Sequence, residues 1–219
     1  MRDFADIHAI AIDRHGEEAL AARLQSPQSP QALAALTPDR WLATMTQCIF
    51  QAGFNWRVIE AKWDGFEAAF HGFDIGRCAM MDDDWLDALL RDTRIVRNGP
   101  KIQTIRDNAV FLQSLHDRGG AGTVLGGWPS TDFIGLLDLL KTQGSRLGGM
   151  SGQYAMRFAG RDAFILSRDV TARLIAEGVI DKPAGSKSSM RAVQAAFNSW
   201  MDQSGRGLTQ ISQILAMSV

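Results

Sequence analysis

Apolar residues recur along this chain at spacings of three and four, and no stretch shows the strict alternation of a half-buried strand. In "LTPDRWLATMTQCIFQAG", Trp41, Leu42, Met45, Cys48 and Ile49 share one helix face. Thr37 is placed to cap that helix, Pro38 to open it, Asp39 to complement its dipole and Gly53 to end it. "NWRVIEAKWDGFEAAFHGF" predicts one further helix with Trp56, Ile59, Trp63, Phe66 and Phe70 on a stripe. "DDDWLDALLRDTRI" has acids at its start and arginines near its end. A turn at Asn98-Gly99-Pro100 leads into a helix stopped by Gly119-Gly120. Another helix starts near Ser130 or Thr131 and ends at Gly144. After "DAFILSRDVTARLIAEG", in which a helix begins at Val170, "MRAVQAAFNSWMDQSG" and "LTQISQILAMSV" supply the last two. The pattern predicts an all-α protein without internal repeats.

Composition narrows the classes. The 219 residues suit one large domain or two small lobes sharing a core. At 46% hydrophobic and 21% charged the chain reads as an ordinary globular protein. No apolar run approaches the roughly 20 residues of a membrane span, and "MRDFADIHAIAIDRHGEEAL" lacks the apolar region of a secretory signal. A cytoplasmic protein without a membrane partner is the expectation. Cys48 and Cys78 have no paired spacing, and His8, His15, His71 and His116 are scattered, so neither a disulfide framework nor a metal site is expected. A formal net charge of -1 gives no bulk attraction to nucleic acid; binding to DNA would need a local patch or backbone amides.

The stretch "LGGMSGQYAMRFAG" offers such amides. Leu147 and Met150 would pin a short turn between two helices, leaving the Gly149, Ser151 and Gly152 amides facing outwards at a helix start, where a phosphate is held without basic side chains. From these residues alone a plain interhelical turn is the stronger reading. In context the stretch resembles the helix-hairpin-helix DNA glycosylase superfamily, with Gly148 in place of the usual proline and Ser151 in place of the second glycine. "AFILSRDVTARL" then stands where that superfamily carries its catalytic aspartate; the aspartate position is Ser167, three residues before Val170, and Asp169 is the nearest carboxylate.

A second resemblance is more specific. Gln51-Ala52-Gly53, Trp56, the Phe70 to Asp74 stretch, Ile95 through Arg97, Lys101-Ile102-Gln103 and Asn108-Ala109 are similar to the 3-methyladenine DNA glycosylase I family. The resemblance implies a two-lobed helical bundle with a helix-hairpin-helix motif and a cleft between lobes, the lobes being residues 1–36 with 161–219, and 37–160. It implies extrusion of a damaged nucleotide from double-stranded DNA and cleavage of its N-glycosidic bond by water, by a monomer without cofactor. Bacterial members would work on nucleoid DNA. Trp56 would stack on the base and Phe54 fill the gap left in the duplex; as residues, both also suit a protein core. Gln51 and Cys48 would line the base pocket, and Arg97 and Lys101, with Arg94 and Arg106, would face phosphates. Lys182, Lys187 and Arg191 form a second basic stretch.

The departures are chemical. Cys48 stands where that family has a base-reading glutamate, and the family's zinc ligands have no counterpart here, so no zinc is expected. Gln153 occupies the part of the hairpin where bifunctional relatives carry a lysine. Asp169 is left as the electrostatic partner of a positive sugar, or as the cap of the helix at Val170. Glu60, Asp64 and Glu67 are cleft carboxylates or solvated helix charges. A lesion-binding protein that does not cleave, and a helical protein-interaction module, are the alternatives.

Overall fold

A computed structural model describes residues 1–219. The helices are α1 (Phe4–His15), α2 (Glu17–Arg23), α3 (Pro30–Ala35), α4 (Pro38–Gln51), α5 (Trp56–Ala61), α6 (Trp63–Ala69) and α7 (Ile75–Ala79). They continue with α8 (Asp83–Arg91), α9 (Gly99–Ser114), α10 (Phe133–Gln143), α11 (Met150–Phe158), α12 (Arg168–Ala176), α13 (Lys187–Ser204) and α14 (Leu208–Met217). There is no strand, so the protein is all-α, and no helix is long and apolar enough to cross a membrane.

Two compact units divide the chain: Met1–Gln28 with Pro129–Leu136 and Gly160–Val219, and Ser29–Trp128 with Leu137–Ala159. Relative to the lobes expected from the sequence, residues 29–36 fall in the second unit, and Pro129–Leu136 and Gly160 in the first.

The first unit is built on α14, whose Leu208, Ile211, Ile214 and Leu215 are buried where it packs with α1 and α12. A run of rings fills the core: Phe133 meets Phe164 edge-on at 4.9 Å, Phe164 meets Phe197 at 4.7 Å, and Phe197 meets Trp200 at 5.8 Å. The non-helical residues 162–166 are laced to α14 by its polar side. The Asp162 carboxylate accepts from the N–H groups of Leu208 and Thr209, while Thr209 Oγ1 and Ser212 Oγ accept from those of Ala163 and Ile165. Asp162 thus caps α14 from a distant part of the chain, satisfying donors that its own N-cap, Gly207, leaves open.

In the second unit α4 is buried on almost every side and packs with α9 and α11. The single helix expected from Asn55 to Phe73 is broken. Lys62, at φ -104 and ψ 4, separates α5 from α6, and its ammonium donates to the Thr93 carbonyl at 2.7 Å. The cause is tertiary: α6 rests so closely on Arg94 that a Cβ on Gly65 would lie 2.4 Å from the Arg94 carbonyl oxygen. Beyond α6 the chain turns sharply, with His71, Gly72 and Phe73 all at positive φ. Arg40 holds this turn by donating to the Gly72 carbonyl at 2.6 Å and, through both terminal nitrogens, to Glu67 at 2.8 and 3.0 Å. Glu67 also accepts from the Trp63 indole, and Trp63 stacks on Phe73 at 5.4 Å. Glu67 is therefore a structural carboxylate, whereas Glu60 and Asp64 are exposed.

Candidate functional site

Trp56 opens α5, and the Asn55 side chain caps that helix by accepting from the Arg57 N–H. Although its spacing places it on the apolar stripe, Trp56 is 39% exposed. Two rings of α11 hold it from the side: Tyr154 at 5.4 Å and 85°, and Phe158 at 5.8 Å and 88°. Tyr154 and Phe158 are one helical turn apart and touch each other at 5.5 Å. Phe158 is itself 46% exposed. An aromatic group this open in an otherwise well-filled unit is a surface ready to stack on another flat ring. The sequence reading missed Tyr154 and Phe158. Their i, i+4 spacing was visible, but only the packing of α11 against α4 brings them to Trp56.

Between α4 and α5 lies the loop that carries Phe54, 41% exposed. Lys101 supports it from beneath. Its ammonium donates to the carbonyls of Phe50 at 3.2 Å and Ala52 at 2.6 Å, and sits 4.5 Å from the centre of the Phe54 ring. Lys101 is 6% exposed, so the expectation that it faces a DNA phosphate is corrected: its donors are engaged with the open carbonyls at the end of α4. Burial, with Arg146 nearby as a like charge, holds its pKa below the usual lysine value. Arg97 is exposed and makes no ion pair, whereas Arg94 pairs with Asp92 at 2.7 Å and Arg106 lies 3.9 Å from Asp107.

Two polar residues face the interior at the end of α4. Burial pushes the Cys48 thiol up to about 12, so it is neutral at physiological pH. One turn later Gln51 is 3% exposed, and its Oε1 has no hydrogen-bond partner. Trp41 Nε1, three turns earlier, is the other partnerless buried atom of this helix. Leaving such an acceptor unpaired costs about 1–3 kcal/mol.

The turn from α10 to α11 is fixed by a residue that the sequence reading used only as a marker. Buried Asn108 of α9 donates from Nδ2 to the Ser145 carbonyl at 3.0 Å and accepts from the Ser145 N–H at 2.8 Å. Leu147 anchors the turn in the core, and Gly149, exposed at φ 62, precedes α11. Ser151 is half-buried. Gly152 is buried, and a Cβ there would lie 2.3 Å from the Leu147 carbonyl oxygen, so its lack of a side chain serves the close approach of the turn to the helix.

In the other unit, Ser167 is the N-cap of α12 and accepts from the Val170 N–H at 3.3 Å. The helix starts at Arg168, two residues before the expected Val170, so Ser167 rather than Asp169 is its cap. Asp169 is exposed in the first turn, where its charge complements the dipole. Lys182 lines a cavity of about 850 Å³ beside the start of α13, with Ile180 and Ser186 among its walls. No group of three or more His, Cys, Asp or Glu side chains is arranged to hold a metal ion.

Residues 38–123, which contain Cys48, Gln51, Phe54, Trp56, Arg97, Lys101 and Asn108, match the methyladenine glycosylase family model. DNA-3-methyladenine glycosylase 1 of Escherichia coli (strain K12) is 37% identical over 85 residues, which cover 38% of this chain and 41% of that protein. The chain thus spans about two-fifths of the length of the curated relative it matches. A crystal structure of 3-methyladenine DNA glycosylase I (TAG) aligns with a TM-score of 0.50 at 22% identity, over 65% of this chain and 86% of that one. The helical fold is of that type, and over residues 38–123 the sequence is 3-methyladenine DNA glycosylase I-like. The hairpin, Tyr154, Phe158, Ser167 and Asp169 lie outside the matched segment.

Proposed function

We propose that this chain is a base-excision repair DNA N-glycosylase that removes alkylated bases such as 3-methyladenine from double-stranded DNA in the cytoplasm, acting as a monomer and without a cofactor. The observation that carries the reading is the exposed Trp56, held edge-on by Tyr154 and Phe158 and lying within the segment that matches the glycosylase model. Stacking on an aromatic is worth about 1–3 kcal/mol per base, and an alkylated purine with a positive ring gains further from the ring quadrupole. Phe54, exposed on its Lys101-supported loop, would fill the gap that an extruded nucleotide leaves, and its exposure supports that role. Gly149, Ser151 and Gly152 supply the amides of an α11 start for one phosphate, and Arg97 is free for another.

In the reaction the bond between the base nitrogen and C1′ of the sugar breaks, its electron pair leaving on the base. Water adds to C1′ and gives up a proton. A positive alkylated base is already a good leaving group, so stacking and electrostatic support contribute more than strong acid–base work. Asp169 is the carboxylate we assign to the positive sugar. A second reading, lesion binding without cleavage, is favoured by the neutral Cys48 thiol and by Ser167 serving as a helix cap.

The test is chromatography of the bases released from heavily methylated genomic DNA. The wild type should release 3-methyladenine, Trp56→Ala should release it roughly 10- to 100-fold more slowly, and Asp169→Asn should lose release while still binding an abasic duplex. No release by the wild type, with abasic binding intact, would select the second reading; neither release nor binding would reject both.

A further inference from the structure

Lys101 is the charge that the fold leaves unexplained. It is buried, no carboxylate pairs with it, and the charge that bears on it is the like charge of Arg146. Two of the three donors of its ammonium go to the carbonyls of Phe50 and Ala52, and the face of the Phe54 ring, 4.5 Å away, is left for the third. Carbonyls at a helix end can be met by water or by a neutral donor, so capping α4 does not account for the cost of a buried charge. What the charge adds is a hold on the ring, because a desolvated cation is attracted to the face of an aromatic. Phe54 follows Gly53 at φ 77, and its N–H donates to the Gln51 carbonyl at 3.1 Å, so the loop presents the ring outwards above the ammonium.

The same helix holds a second piece of the proposed DNA-binding surface. Asn108 lies about two turns beyond Lys101 on the same face of α9, and clamps Ser145 in the turn before α11 through both its N–H and its carbonyl. α9 thus joins the Phe54 loop to the hairpin turn by a buried side chain at each end. We propose that Lys101 is a positioning residue for Phe54, holding the ring ready to enter the duplex in register with the hairpin that Asn108 fixes. The inference rests on the glycosylase reading and deepens it. A ring held in place before DNA arrives enters the gap without first losing its freedom, so the effect is on the depth of insertion and not on any new contact to DNA.

The experiment follows insertion through the fluorescence of 2-aminopurine placed beside a tetrahydrofuran abasic site in a duplex, read at saturating protein. Release of 3-methyladenine from methylated genomic DNA is measured in parallel. Lys101→Met should lower the ratio of inserted to uninserted complex by about tenfold, the fold-change of a cation–π contact shielded from water. It should lower kcat for base release with it and leave KM within about twofold. In a Phe54→Ala background the same substitution should change release by less than about twofold, because Lys101 acts through the ring. Lys101→Gln, which keeps a neutral donor for the carbonyls, goes through the same cycle and should behave as Lys101→Met does. Losses that multiply in the double variants, an undiminished insertion signal in both Lys101 variants, or loss of helicity in both, would overturn the inference and leave the glycosylase reading standing. A wild type that neither binds the abasic duplex nor releases base would remove that reading and the inference with it.

Discussion

Glu177 and Gln51 are buried to nearly the same degree, 5% and 3% exposed, yet the two units treat them in opposite ways. Around Glu177 every polar partner is present. The Arg2 N–H donates to Oε2 at 2.9 Å, the Arg2 guanidinium to Oε1 at 2.7 Å, and Arg173 to Oε1 at 3.3 Å. Arg173 in turn donates to both the hydroxyl and the carbonyl of Ser218. This network ties residues near both ends of the chain to α12. Around Gln51 the acceptor has nothing. A polar group whose partners all lie inside the protein serves the fold. One left without a partner carries a desolvation cost that the fold does not offset.

The comparison can be broken most strongly at Glu177. Replacing it with glutamine leaves Arg173, 7% exposed, without its counter-charge, and should lower the unfolding free energy by roughly 3 kcal/mol in urea titration. The same carboxyl gives a pH signature. Burial alone would raise its pKa, but the hydrogen bonds and charge of Arg2, with help from Arg173, hold it below the usual glutamate value of 4.5. The folded protein then binds fewer protons than the unfolded chain near that pH. The stabilisation is fully present above 4.5 and is lost as pH falls through the lower folded-state value. A stability profile of Glu177→Gln between neutral and acid pH should lack this drop; an identical drop would assign the acid sensitivity elsewhere.

Smaller effects sharpen the other side. Gln51→Leu should raise stability by about 1 kcal/mol, because an unpaired acceptor is removed without loss of a bond. A destabilisation of similar size would mean that the amide has a partner in solution. Phe158→Ala removes one edge-on ring beside Trp56, a contact worth about 0.5–1.5 kcal/mol. Since Phe158 is half-exposed, its loss should reduce base release by a few-fold with little change in melting temperature. At the small end, Arg97→Ala should flatten the salt dependence of duplex binding by about one ion.

What could be read beforehand followed the range of the interaction. Pro38 and Asp39 opening α4, the acids at the start of α8 and the turn at Asn98-Gly99-Pro100 before α9 are local arrangements that stand where the spacing puts them, although Thr37, at the cap position of α4, makes no capping hydrogen bond with its side chain. Trp56 was legible as a candidate only through the resemblance to the glycosylase family. Its exposure was not, since the same residue completes an apolar stripe. Lys101 was misread for the same kind of reason: a lysine in a basic run looks solvated until the end of another helix supplies carbonyls for it. The break at Lys62 could not be foreseen from periodicity, because it depends on the backbone of Thr93 and Arg94, about thirty residues further on.

By itself, then, the sequence determined the helical class, the starts of α4 and α9, the end of α10, and the segment in which the candidate chemistry lies. Period, caps and turn residues act over four or five positions and carry those decisions locally. Only the tertiary structure decided that Tyr154 and Phe158 flank Trp56, that Asn108 fixes the turn at Ser145, that Ser167 rather than Asp169 caps α12, and that Lys101 is a support while Gln51 is left unpartnered. Each of these except the cap at Ser167 is a meeting of residues far apart in the chain, set by how helices pack and which buried groups find partners. The cap was a choice between two nearby residues that both suit the role, and the helix settled it by starting at Arg168 between them.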